Sequence, residues 1–92
     1  MPDHPEIFIN HISKHKLPFS AKDYATEICK LKRISNGRFE FTFCDNTQII
    51  EINKKYLNRT YATDIISFNL GNQDNLDADI YISIEQAIEN CK

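Results

Sequence analysis

Hydrophobic positions recur along this chain at two spacings, every second residue and every third or fourth, and the two take turns. Period-two segments predict strands, because successive side chains of an extended backbone point to opposite faces. The first such segment is short, EIFIN at residues 6–10. RFEFTFCD at 38–45 is the clearest: Phe39, Phe41 and Phe43 share one face, while Arg38, Glu40, Thr42 and Cys44 share the other. TDIISFNL at 63–70 predicts a third strand, with Ile66, Phe68 and Leu70 facing a core and Thr63, Ile65, Ser67 and Asn69 facing away. ADIYISI at 78–84 predicts a fourth, in which Ile80, Ile82 and Ile84 alternate with Asp79, Tyr81 and Ser83.

Between the strands the spacing lengthens to that of helices with one buried stripe. Residues 19–37 predict a helix, with Ser20 as N-cap, Asp23 in the positive first turn and Asn36-Gly37 as the stop. Phe19 and Tyr24 occupy the two positions of a hydrophobic staple, and Tyr24, Ile28 and Leu31 line its apolar face. A second helix runs from Asp45 or Asn46 to about Leu57, with Ile49, Ile52 and Tyr56 as its stripe. Ser83 and Gln86 form a capping-box pattern that opens a last helix with Ile84, Ala87, Ile88 and Cys91 on one face.

The order β-α-β-α-β-β-α predicts an α+β fold, a mixed sheet of about four strands with helices packed on it. Residues 1–92 are expected to form a single domain. The last helix reaches Lys92 without a cap, so the domain is expected to be truncated at its C-terminal end. Loss of a covering helix predicts lower stability or self-association through an uncovered core face.

Composition narrows the class. A hydrophobic share of 41% with 11% aromatics is that of a globular chain. No apolar run approaches the roughly 20 residues a membrane-spanning helix needs. MPDHPEIFIN lacks the basic start and apolar core of a secretory signal. Cys29, Cys44 and Cys91 are odd in number and widely spaced, which suits reduced thiols and a cytoplasmic location.

The net charge of −2 conceals an asymmetry: residues 1–59 hold ten Lys/Arg and seven Asp/Glu, residues 60–92 one and six. A basic half can attract phosphate, though an ordinary solvated surface explains the same charges. The third strand poses a sharper question. Thr63, Ser67 and Asn69 share a polar face, with Asp64 at the entry. Such a face suits a wet cleft for a polar ligand, and equally a strand with one solvated side.

EINKKYLNRTYATDIISFNL at 51–70, followed by ADIYIS at 78–83, resembles the YbeY family of single-strand-specific endoribonucleases of ribosomal RNA maturation. Asn53 matches an Asn that members carry in the helix before the loop. Thr63, Asp64, Ile65, Ile66, Ser67 and Phe68 match the family's T-D-[VI]-[LI]-[ST]-F strand. Ala78-Asp79-Ile80-Tyr81-Ile82-Ser83 matches G-D-I-x-I-S, with Ala in place of Gly. The resemblance implies that Thr63, Asp64 and Ser67 line an RNA cleft and that Lys55 or Arg59 meets phosphate. An exposed, i+4-spaced pair at a helix end explains Lys55 and Arg59 without RNA. Leu57 stands where many members have an arginine, and Arg59 lies two residues later.

The resemblance also implies zinc for the complete enzyme, held by H-G-x-L-H-L-x-G-x-D-H. Residues 84–92 contain no histidine, and the last in the chain is His15. No metal site and no catalytic residue are therefore expected within this chain, and it is expected not to hydrolyse RNA. His11 and His15 are spaced i, i+4 but lie in a loop-like stretch, with only His4 nearby to join them. Cys44 has no identifiable base, and around Asp74, Asp77 and Asp79 the glycine precedes the acids and no glutamate sits at the closing position of a calcium loop. The partners implied are single-stranded or ribosomal RNA and the small ribosomal subunit. The rival readings are a metal-free module that docks on RNA or the ribosome, and an inactive product.

Overall fold

The structure is a computed structural model, which describes residues 5–34, 36–61, 64–72 and 75–90, the side chain of Asn90 aside. Seven elements follow in the predicted order: β1 (Glu6–His11), α1 (Ala21–Leu31), β2 (Arg38–Cys44), α2 (Asn46–Leu57), β3 (Ile65–Asn69), β4 (Asp77–Ser83) and α3 (Ile84–Asn90). The fold is α+β with one four-stranded mixed sheet in the order β1-β2-β4-β3. β1, β2 and β4 run parallel, and β3 pairs antiparallel with β4 at the edge.

Both sheet faces are covered, because both the parallel connections cross over through helices. On one face, Phe39, Phe41 and Phe43 of β2 and Ala78, Ile80 and Ile82 of β4 meet Ala25 and Cys29 of α1 and Ile84 and Ala87 of α3. On the other face α2 lays Ile49 and Ile52 against Cys44, Ile66, Phe68 and Tyr81. Phe41 and Phe43 are wholly buried, so the period-two reading of β2 found the centre of the core.

The start of α1 is as its sequence predicts. The Ser20 hydroxyl accepts the Asp23 N–H at 3.2 Å, and the Phe19 and Tyr24 rings stack with centroids 5.1 Å apart. Its end is not. The helix stops at Leu31, with Arg33 in the left-handed region (φ 58°), before Asn36-Gly37 is reached. Leu31 is 82% exposed, while Ala25 and Cys29 take the innermost positions. Small side chains there let the helix backbone come close to the sheet, and Leu31 turns away from that contact line. Gly37 instead serves the entry to β2: its φ of 109° is closed to side chains, and a Cβ would stand 2.6 Å from Leu76 Cβ.

Three further expectations shift. Leu70 lies beyond the end of β3 and is 61% exposed, and Tyr56 is 58% exposed at the end of α2. Ile84 is the first residue of α3 rather than the last of β4, yet it is still fully buried. The Gln86 N–H donates to the Ser83 hydroxyl at 3.3 Å, as the capping pattern predicts. Cys91 lies outside the described residues.

Candidate functional site

Two regions carry chemistry beyond packing, and both lie at or beside β4. The first is the exposed face of β3. The pairings Ser67↔Ile80 and Phe68↔Asp79 fix the register, so Ile65, Ser67 and Asn69 point to the α1–α3 side of the sheet. There the helices cover β2 and β4 but leave β3 open: Ser67 and Asn69 are exposed, and Ile65 is 40% exposed. Ile66 and Phe68 point the other way, under α2. The face assignment from periodicity therefore holds at these five positions. Asp64 is exposed at the entry to β3, where its carbonyl accepts the Ser83 N–H at 3.0 Å. Thr63 lies outside the described residues.

Lys55 and Arg59 approach from α2. Lys55 is exposed, with Nζ 5.2 Å from the centre of the Tyr56 ring, and Tyr56 in turn meets Phe68 edge-on at 5.4 Å. That contact sets the end of α2 on the Phe68 side, so Lys55 and Ser67 stand on opposite sides of the sheet. Arg59 is exposed just after the helix, whose cap Asn58 is left-handed (φ 54°). Both turns of the chain here hang on Asn53. It is fully buried, its carbonyl accepts the Arg59 N–H at 3.2 Å, and its Nδ2 donates to the Tyr61 carbonyl at 2.8 Å. The sequence pattern marked Asn53 only as a match. Its role is to hold Arg59 and Tyr61 just beyond the end of α2.

The second region is formed where the three parallel strands end. The turn after β1 brings His15, the residue after β2 is Asp45, and the first turn of α3 after β4 brings Glu85. His15 Nε2 is 3.8 Å from Asp45 Oδ1 and 3.8 Å from Glu85 Oε1, and the three donor atoms lie within 4.8 Å of one another. Asp45 is buried, whereas His15 and Glu85 are exposed.

Each member is held from behind. The Ser13 hydroxyl donates to Asp45 Oδ1, and the Lys14 N–H donates to Oδ2 at 3.4 Å. Glu85 Oε1 accepts the Asn46 N–H at 2.8 Å. The His15 N–H donates to the Ser13 hydroxyl at 2.9 Å, and the His11 ring nitrogen meets the His15 carbonyl at 2.8 Å. The Ser13 hydroxyl, with help from the Lys14 N–H and His15, holds the Asp45 carboxyl below its ordinary range, against the upward pull of burial. Beside it, burial and the Asp45 charge push the Cys44 thiol up to about 11, which leaves it protonated and a poor nucleophile.

Of the acids considered for a calcium loop, Asp77 and Asp79 lie in β4 and belong to no cation cluster among the described residues. Asp77 faces Arg38 at 3.6 Å, Asp79 borders a groove of about 280 Å³ with Tyr56, Phe68, Leu70 and Tyr81, and Asp74 lies outside the described residues. Among the described residues no helix is long and apolar enough to cross a membrane.

The fold defines a layered α+β sheet domain whose edge strand keeps one polar face open beside the strand to which it is paired. Known proteins are similar to this chain in sequence: the family model described as Endoribonuclease YbeY matches residues 8–92. The chain belongs to the YbeY family. It is similar to the Endoribonuclease YbeY of Flavobacterium psychrophilum, 46% identical over 56 residues, or 61% of this chain and 40% of that protein. It is similar also to that of Karelsulcia muelleri, 52% identical over 46 residues (50% of this chain, 33% of that protein). The match to the Bacteroides thetaiotaomicron protein is longer, 33% identical over 81 residues, or 84% of this chain and 59% of that protein. In these three relatives the match spans from 33% to 59% of their length.

Proposed function

We propose that residues 1–92 are the sheet-bearing portion of a single YbeY-like domain, and that this domain serves an endoribonuclease acting on single-stranded RNA in ribosomal RNA maturation. The observation that carries the reading is the open β3 face, with Ser67 exposed and Asp64 at its entry, on a strand within the span that the family model matches. In this role the hydroxyl and amide of Ser67 and Asn69, with Thr63 and Asp64, line one wall of an RNA cleft. Unpaired RNA suits such a wall, because its splayed bases and 2′-hydroxyls offer hydrogen-bonding edges that a duplex hides. Arg59 meets backbone phosphate, and Lys55 extends the positive charge on the α2 side. The small ribosomal subunit is the setting in which such RNA is presented, and the cytoplasm is its compartment, where Cys29 and Cys44 stay reduced.

The family's zinc set does not fit the residues present. A pair of histidines one helical turn apart is needed with a third, and the chain's histidines are His4, His11 and His15. His11 sits in β1 with its ring on the His15 carbonyl, and His4 lies outside the described residues. No hydrolytic step is assigned to residues 1–92.

Fluorescence anisotropy with a labelled single-stranded RNA and its duplex tests the reading. The chain should prefer the single strand, and Arg59→Ala should lower the salt dependence of binding by about one phosphate contact. Equal or better binding of duplex would refute it. Incubation with RNA and Zn²⁺ should leave the RNA intact. Cleavage abolished by chelator would place catalysis within residues 1–92 and overturn that part of the proposal.

A further inference from the structure

We propose that His15, Asp45 and Glu85 form a binding site for a first-row divalent cation, of the zinc or manganese class, separate from the open face of β3 and independent of the RNA reading. Three observations carry it.

The first is the convergence itself. The residues are 30 and 40 positions apart, and each follows a different one of three neighbouring parallel strands. In sheets of this kind, ligands bind beyond the carboxyl ends of the strands, where the connecting segments can supply side chains to one point.

The second is the spacing. His15 Nε2 stands 3.8 Å from each carboxylate oxygen, too far to hydrogen-bond either. Two ligands at about 2.1 Å on a tetrahedral ion are roughly 3.4 Å apart, so closing the set around a metal takes shifts of about 0.4 Å in the two His15 pairs and at most about 1.4 Å between the carboxylates. His15 and Glu85 are on the exposed side and can make that shift, whereas buried Asp45 fixes one corner.

The third is the support behind the donors. Ser13, the Lys14 N–H and the Asn46 N–H already orient the carboxylates, as outer partners do around metal ligands. One imidazole with two carboxylates suits zinc or manganese better than calcium, which takes oxygen alone, or copper(I), which takes sulfur. Three protein donors leave a fourth position for water. The positive ends of α2 and α3 offset part of the carboxylate charge, so the affinity should fall below that of closed structural zinc sites.

The test is a Zn²⁺ titration of the 92-residue chain by calorimetry in a non-chelating buffer, paired with amide NMR. Mn²⁺ serves as a paramagnetic probe of position. One equivalent of Zn²⁺ should bind, and Mn²⁺ should broaden the amides of Lys14, His15, Asn46 and Glu85 first. His15→Ala removes an exposed ring, and Glu85→Gln keeps an acceptor for the Asn46 N–H, so both should fold. Each should weaken Zn²⁺ binding about tenfold or more. Cys91→Ser should leave it within about threefold. No measurable Zn²⁺ binding would overturn the proposal. Binding unchanged in both site variants, or broadening centred on His11 or Cys91, would overturn it too.

Discussion

Ser67 and Phe68 are adjacent in sequence and opposite in role, and replacing each by alanine separates the two faces of β3. Phe68 is half-buried between Tyr56, at 5.4 Å, and Tyr81, at 6.0 Å. An aromatic side chain buries about 150–250 Å² when fully enclosed, so half enclosure removes roughly 75–125 Å² from water. At about 25 cal/mol per Å², Phe68→Ala should cost ~2–3 kcal/mol. That is less than the ~3–5 kcal/mol expected for a wholly buried ring such as Phe41, because the groove beside Phe68 is open and leaves no sealed cavity. Ser67→Ala exchanges one solvated hydroxyl for a methyl and should stay within ~0.5 kcal/mol. A domain of this size has roughly 5–14 kcal/mol to lose. Urea denaturation resolves the two: with a slope of ~1 kcal/mol per molar, the midpoint should fall by about 2–3 M for Phe68→Ala and hardly move for Ser67→Ala. If Ser67→Ala were as damaging as Phe68→Ala, β3 would pair one residue out of the register Ser67↔Ile80, and the open polar face would be the wrong one.

Two further outcomes follow from the loops at the ends of the sheet. The Asp45 carboxyl is depressed in the folded chain, so its contribution to stability is present above its ordinary value of 3.8 and is lost as pH falls below it. Ser13→Ala, which removes the main donor, should raise the Asp45 titration towards 3.8 by carboxyl NMR and flatten the acid limb of stability; an unchanged titration would contradict the assignment. Asn53→Ala leaves the Tyr61 carbonyl without its donor and should cost ~1–3 kcal/mol, with faster amide exchange at Arg59 than in the body of α2. Unaltered exchange there would show that the loop does not hang on Asn53.

What could be read from the sequence is what depends on neighbours in the chain. Phe39, Phe41 and Phe43 announce a buried strand face because the strand period is two. Ser20, Phe19 and Tyr24 announce a helix start because capping is local. Leu31 was misplaced because a stripe of apolar residues does not reveal which flank meets the sheet; Ala25 and Cys29, being small, took the contact. Ile84 continues the alternation of β4 in sequence, yet the Ser83 cap bends the chain into α3 one residue earlier. The grouping of His15 with Asp45 and Glu85 was out of reach of spacing rules. It exists because β1, β2 and β4 are neighbours, and that order is a property of the whole sheet. The one available signal was an Asp directly after a strand and a Glu just after another.

The order β1-β2-β4-β3 has a consequence during synthesis. β2 is the strand richest in buried phenylalanine, and its second neighbour, β4, ends about 40 residues later in the chain. A ribosome adds about 5–20 residues per second, so β2 waits roughly 2–8 s for that partner. β3 emerges in the interval but pairs only with β4, and so cannot shelter it. Hairpin closure between β3 and β4 then takes microseconds, whereas the parallel pairing of β2 with β4 must close the long crossover. For those seconds the nascent chain carries a strand with an unpaired backbone edge and a phenylalanine-lined face, which makes β2 the segment where a chaperone would find its handhold.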